Sequence, residues 1–364
     1  MGSREAPLHG PWANVTETSM SDASRTHLIA PLTSLRFFAA AAVVILHSGS
    51  HRLTEIVPRP IATLMANGYL GVTFFFVLSG FILQHVYAGK VDVRRYAVAR
   101  FARIYPVYML ALAIAAVCSF SATWRAIPQL VLLQLWVAPS TTFDNWNGQA
   151  WTLSVELLFY MLFPLVSPIA ARLRLPALIA TVATLTALIL AVRTSWISSS
   201  EQLAPALQWL PIPIVRLPEF LFGIALGETF NRGLKSPVPP SLFAASILAV
   251  LAFSGGAWTA AFATLLSGAL IFSVATSKGL FVRVLSAKPL TLLGGASYAL
   301  YLLAGPVRMA FHGLGLERWL ALFLPTLLAL SLVVFIYYEE KLREAMRHRA
   351  KLPDSAHGEI VAGA

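Results

Sequence analysis

Arg36 and His47 are the residues most able to do chemistry in this chain, because both lie inside one apolar stretch, residues 32–48, LTSLRFFAAAAVVILHS. They are eleven positions apart. At 100° and 1.5 Å per residue, a helix puts them on nearly the same face, offset by about 20° and by roughly 16 Å along its axis. A permanent cation and an imidazole that exchanges a proton near neutral pH then share one stripe, with an anion-binding group at one end and a general base at the other. Further along come Arg100 and Arg103, Trp151 and Glu156, Arg216 and Glu219, and Tyr298 and Tyr301, all in or beside apolar runs.

The elements that must position these residues are set by composition. Of 364 residues, 57% are hydrophobic and only 12% charged, and mean hydropathy is +0.72. Soluble domains carry about 25% charged residues, so the deficit makes lipid the solvent. Apolar stretches long enough to span a bilayer recur along nearly the whole chain. The expected fold is therefore all-α, a polytopic membrane helix bundle with about ten spans at 33–50, 68–87, 104–120, 151–168, 176–193, 211–229, 241–255, 257–276, 290–308 and 318–338. Residues 127–137 are apolar but short, which predicts an interfacial or re-entrant segment, and Ser254-Gly255-Gly256 reads as a tight turn between two spans. Residues 1–31 form a polar tail without a signal-type apolar core, residues 32–343 the transmembrane domain and residues 344–364 a second tail.

The net charge of +11 does not call for a nucleic acid, because the basic residues cluster in alternate loops. One side holds Arg4, Arg25, Lys90, Arg94, Arg95, Arg100, Arg103, Arg172, Arg174, Arg232, Lys235, Lys278, Arg283, Lys288, Lys341, Arg343, Arg347, Arg349 and Lys351; the other holds only Arg52, Arg59, Arg125, Arg193, Arg308 and Arg318. The asymmetry predicts both termini in the cytoplasm. The single cysteine, Cys118, rules out an internal disulfide and a thiolate metal cluster, so no metal is expected.

This topology gives the ionisable residues a depth. Arg36 falls on the cytoplasmic side, and His47, Trp151, Glu156, Arg216 and Glu219 fall toward the outer side, which predicts one cluster from several helices. Ionisable groups at such depth are expensive and by default functional. Each has a plainer reading too. His47 can be a helix-end imidazole, Glu156 and Arg216 an interhelical ion pair, Trp151 an aromatic-belt residue and Arg36 a snorkelling arginine. Arg100 and Arg103, three apart at the cytoplasmic mouth, fit either loop charges or a phosphate clamp.

In order along the chain stand LTSLRFFAAAAVVILHSG, GYLGVTFFFVLSGFIL, RFARIYP, WTLSVELLFYMLFP, RLPEFLFG, SYALYL and EEKLRE. Over about residues 30–343 this series resembles the acyltransferase-3 family of bacterial membrane O-acyltransferases, and among them the exopolysaccharide branch that acetylates xanthan-type repeat units. The resemblance implies that His47 is the catalytic histidine and Arg36 its paired arginine. Arg100 and Arg103 would be the arginine pair on the acyl-coenzyme A side, and Trp151 and Glu156 the Trp-x-x-x-x-Glu element. One departure stands out: where the family often carries a late histidine, this chain has Ala304.

The expected activity is transfer of an acetyl group from acetyl-coenzyme A, a co-substrate with no tightly bound cofactor beside it, to a sugar hydroxyl of an exopolysaccharide or its lipid-linked repeat unit. His47 would take the hydroxyl proton, Glu156 would orient the imidazole, and Trp151, Arg216, Glu219, Tyr298 and Tyr301 would contact the acceptor. A covalent acyl-histidine step stays open. O-antigen, peptidoglycan and macrolide acceptors are the alternatives, as is a proton-coupled glycan or drug transporter, against which stands the lack of an internal repeat. The implied partners are the lipid-linked glycan, acyl-coenzyme A and membrane lipid, in a bacterial inner membrane.

Overall fold

In a computed structural model of the chain, residues 22–48, 56–87, 89–119, 127–137, 146–194, 196–197, 202–203, 210–316 and 319–349 are described. Helices α1 (Asp22–His47), α2 (Arg59–Ala66), α3 (Gly71–Tyr87) and α4 (Val93–Ser119) come first. Two single turns follow, α5 (Ile127–Leu130) and α6 (Gln134–Val137), then α7 (Trp151–Arg172), α8 (Leu175–Thr194), α9 (Ile212–Val215) and α10 (Leu217–Asn231). The chain continues with α11 (Pro240–Phe253), α12 (Ala257–Thr276), α13 (Leu280–Leu285), α14 (Lys288–Gly295), α15 (Ser297–Gly313), α16 (Leu320–Val334) and α17 (Glu340–Arg349). A two-residue antiparallel pairing, Trp196–Ile197 with Gln202–Leu203, is the one strand contact among the described residues. The fold is the expected all-α membrane bundle, but the helix lengths differ from expectation.

Seven helices are long and apolar enough to cross a membrane, and an eighth if α14 and α15, bent by 51° at Ala296, count as one. The two remaining expected spans are short. Residues 211–229 break at Arg216 into α9 and α10, because Pro218 starts the second helix at its first turn. Residues 241–255 give the 14-residue α11, which stops at the expected turn, where Gly256 takes φ +86°. Residues 127–137 do not span. Their two turns meet at Leu132 (φ +61°), and the hydroxyls of Tyr105 and Tyr108 in α4 donate to the carbonyls of Leu130 and Gln129.

α3 and α10 form the closest helix pair in the frame. A Cβ on Gly223 would sit 2.0 Å from the Val77 carbonyl oxygen, and one on Gly80 would sit 2.1 Å from that of Phe220. With Gly227 one turn later, this is small-residue packing, which lets helix backbones touch where lipid supplies no hydrophobic drive. Around it Phe76, Phe159 and Phe220 are fully buried, with Phe159 stacked on Phe220 at 4.5 Å. The face of α1 that bears Ala40, Val43 and Val44 packs into the same core.

Candidate active site

Residues from five helices enclose a cavity of about 440 Å³, counting its open mouth. Its polar lining is Arg36 from α1, Ser79 from α3, Arg103 from α4, Glu156 and Tyr160 from α7, and Tyr298 from α15. Tyr160 donates to Glu156 Oε2 at 3.3 Å, and Tyr298 donates to the Ile104 carbonyl at 2.9 Å. The Arg103 guanidinium lies 5.2 Å from the Tyr298 ring centroid and donates through Nη1 to Glu339 Oε1 at 2.9 Å, an oxygen that Arg343 also engages. Arg100 lies 5.8 Å from the ring centroids of both Tyr96 and Tyr160. Arg100 and Arg103 are thus not a surface clamp. Both are buried in α4, which starts at Val93, ahead of the expected 104, so neither is a loop charge.

A second polar group lies on α8 and α10. Glu219 Oε1 accepts from Arg193 Nη2 at 2.5 Å and from Arg216 Nη1 at 2.8 Å, and Arg193 also donates to Thr73. The Arg216 guanidinium faces the rings of Phe76 at 5.3 Å and Trp151 at 5.8 Å. Thr73 precedes Ser79 by six residues on α3, so this group is offset from the cavity by about 9 Å along that helix. Glu219 is fully committed to two arginines, and Arg216 pairs with it rather than with Glu156.

His47 stands apart from both groups. Its side chain is exposed at the end of α1; its backbone carbonyl accepts from Arg308 Nη1 at 2.8 Å, and its Nδ1 lies 2.8 Å from the Val43 carbonyl oxygen. A carbonyl only accepts, so Nδ1 carries the proton and Nε2 keeps its lone pair. The expected single cluster therefore resolves into three places. Glu156 does not reach His47, and the reason lies at the start of α7. The turn Gly148–Ala150 is already inside the bundle: Gln149 Oε1 accepts from the Gly305 N–H at 3.0 Å, its carbonyl accepts from Tyr301 at 2.9 Å, and Asn147 Nδ2 donates to the Leu302 carbonyl at 2.8 Å. Glu156, seven residues further, is about 10 Å deeper, level with Tyr298 and Arg36.

Sequence reasoning passed over several residues that the structure brings in. Arg193, counted as an outer charge, is 4% exposed against Glu219; Arg343, counted as a cytoplasmic charge, is 3% exposed against Glu339. Tyr160, Ser79 and Glu339 stood inside quoted motifs without a role, while Asn147 and Gln149 carried no signal beyond being polar ahead of a span. Ala304 is buried beside Gly305, where Gln149 supplies the neighbouring polar atom. Among the described residues, no three of His, Cys, Asp and Glu come together in a way that could hold a metal ion. The Asn14 sequon, Arg52, Arg125, Arg318 and the ends of both tails lie outside the described residues.

Residues 30–339 match the acyltransferase domain of the acyltransferase-3 family. The chain is 30% identical over 297 residues to acyltransferase MdmB of Streptomyces mycarofaciens, covering 74% of this chain and 76% of that protein. It is 26% identical over 324 residues to O-acetyltransferase OatA of Staphylococcus aureus, covering 76% of this chain but only half of that protein. A 56-residue stretch is 48% identical to protein 2 in the picA locus of Rhizobium radiobacter. No solved structure matches. With its bundle of membrane-crossing helices and this match over most of its length, the chain belongs to the acyltransferase-3 family and is a multi-pass membrane O-acyltransferase.

Proposed function

We propose that this enzyme transfers an acetyl group from acetyl-coenzyme A to a sugar hydroxyl of an exopolysaccharide or its lipid-linked repeat unit, in a bacterial inner membrane with both termini in the cytoplasm. The observation that carries the reading is the spacing along α1. Arg36 borders a buried, charged cavity, and His47, with a free Nε2, is exposed roughly 16 Å away on the same helix. In this reading the anionic end of the donor occupies the cavity between Arg36 and Arg103, with Arg100 adding charge from behind Tyr160. The extended arm then runs along α1 and brings the thioester to His47. The acceptor approaches from the outer side, where Trp151, Arg216, Glu219 and Tyr301 form part of the wall.

The chemistry follows from the His47 tautomer. Nε2 takes the proton of the sugar hydroxyl as its oxygen attacks the thioester carbonyl; the carbon–sulfur bond breaks, and the proton passes to the departing thiolate, giving the ester and free coenzyme A. The same lone pair would attack first in an acyl-histidine route. OatA is described as an O-acetyltransferase, and acetyl transfer to oxygen is the activity carried over; the acceptor class follows the resemblance set out above.

The test uses purified enzyme in nanodiscs with radiolabelled acetyl-coenzyme A and lipid-linked glycan from exopolysaccharide-producing cells. Label should enter the glycan as a base-labile ester, and His47→Ala should abolish it while coenzyme A binding persists. Ester formation that survives His47→Ala removes the histidine from the chemistry. Label moving only to another acceptor replaces the proposed one, and no transfer to any acceptor favours a transport role.

A further inference from the structure

We infer that Glu339, together with Arg343, is a positioning residue that holds Arg103 at the cavity for the acyl donor; the inference rests on the acyl-coenzyme A reading above. Arg103 lines the cavity, whereas Glu339 does not, so Glu339 can act on a bound donor only through Arg103. The link is direct. Arg103 gives Nη1 to Glu339 Oε1, while its Nη2 is buried without a hydrogen-bond partner. An orphaned guanidinium nitrogen on a side chain 4% exposed costs free energy unless something arrives to accept from it.

Charge balance explains why Glu339 carries a second arginine. A carboxylate paired with Arg103 alone would cancel the charge that an anionic donor group needs. Arg343, one helical turn after Glu339, engages the same carboxylate oxygen. The trio keeps a net positive charge, and Arg103 is fixed in direction without being neutralised. The backbone supplies the register. Phe335–Glu339 is a π-helical turn, the single-turn insertion that recurs at functional sites. One extra residue rotates everything after it by about 100° relative to an unbroken α-helix, and this rotation is what faces Glu339 and Arg343 toward α4. Tyr338, in the same turn, donates to the Pro106 carbonyl at 3.3 Å, which ties the insertion to the helix that carries Arg103.

The test is a double-mutant cycle of Glu339→Gln and Arg103→Ala in nanodiscs, reading coenzyme A affinity by calorimetry and the donor and acceptor KM separately. Glu339→Gln should weaken coenzyme A binding by about tenfold or more and raise the donor KM, with the acceptor KM unchanged. Glu339→Asp should recover part of the loss, and in the Arg103→Ala background Glu339→Gln should add nothing. A wild-type protein that binds no coenzyme A overturns the donor reading and this inference together. A wild type that binds, with a Glu339→Gln effect that is absent, additive to Arg103→Ala, or spread equally over both substrates, overturns this inference alone.

Discussion

Replacing Glu219 by glutamine should unfold the bundle more readily than any single change to the arginines around it. One carboxylate oxygen receives Arg193 at 2.5 Å and Arg216 at 2.8 Å, and all three side chains are no more than 5% exposed. Glutamine keeps the shape and removes the negative charge, which leaves two guanidiniums buried together. Removing one partner of a buried ion pair costs about 3–5 kcal/mol, equal to roughly a hundredfold to a few thousandfold in the folded-to-unfolded ratio. Arg193→Met does the opposite: it leaves Arg216 and Glu219 as a neutral pair, so its cost stays below that of Glu219→Gln. Placed on top of Glu219→Gln, Arg193→Met should recover stability, because it removes one of the stranded charges. Reversible unfolding in bicelles by steric trapping gives these free energies directly. A Glu219→Gln protein within about 1 kcal/mol of wild type, or a double variant less stable than Glu219→Gln, would refute the argument that this carboxylate locks α8 to α10.

Gly223→Ala places a methyl carbon 2.0 Å from a backbone oxygen of α3, a contact no rotamer change relieves. The cost should exceed the 1–3 kcal/mol of ordinary overpacking, and size-exclusion profiles that stay wild-type would contradict it. Tyr108→Phe removes the 2.5 Å bond to the Gln129 carbonyl, worth about 1 kcal/mol. Amide exchange over residues 127–137 should then quicken by about fivefold with α4 unchanged; a global rise in exchange would place the bond elsewhere in the energetics. At a pH where the ring is neutral, the ¹⁵N shifts of His47 should report a protonated Nδ1, and a protonated Nε2 would remove the general-base geometry.

Much of the bundle was legible because apolar runs bounded by charge are hard to mistake, and α1 declared itself through two polar residues that lipid would not tolerate without cause. Helix ends were harder. Arg100, Arg103 and Arg343 look like loop charges in a sequence, since an arginine paired inside a protein and one in a cytoplasmic loop have the same letter; here each is buried against tyrosines or Glu339. Arg193 was misjudged for the same reason. The depth of Glu156 was hidden by the turn before α7. Counting from Trp151 assumes that the helix begins at the membrane surface, whereas Asn147 and Gln149 are already enclosed against α15. Spacing within one helix is fixed by geometry, but the register between helices is set by contacts that no sequence interval encodes.

That register decides how His47 is held. Among the described residues no carboxylate bonds the imidazole; the oriented partner is the Val43 carbonyl, one turn back on the same helix. A backbone carbonyl fixes the tautomer as well as a carboxylate does, yet brings no full negative charge to stabilise an imidazolium. A base held this way gains little by keeping the proton, which suits a reaction in which the proton must leave again at once for the departing thiolate. Glu156 is thereby free for a different task. At the level of Arg36 and Arg103 it offsets part of the positive charge gathered around the cavity, so that the helices can pack there while the donor is absent. The donor end and the base are thus two separately built places, joined by one rigid helix about 16 Å long between them.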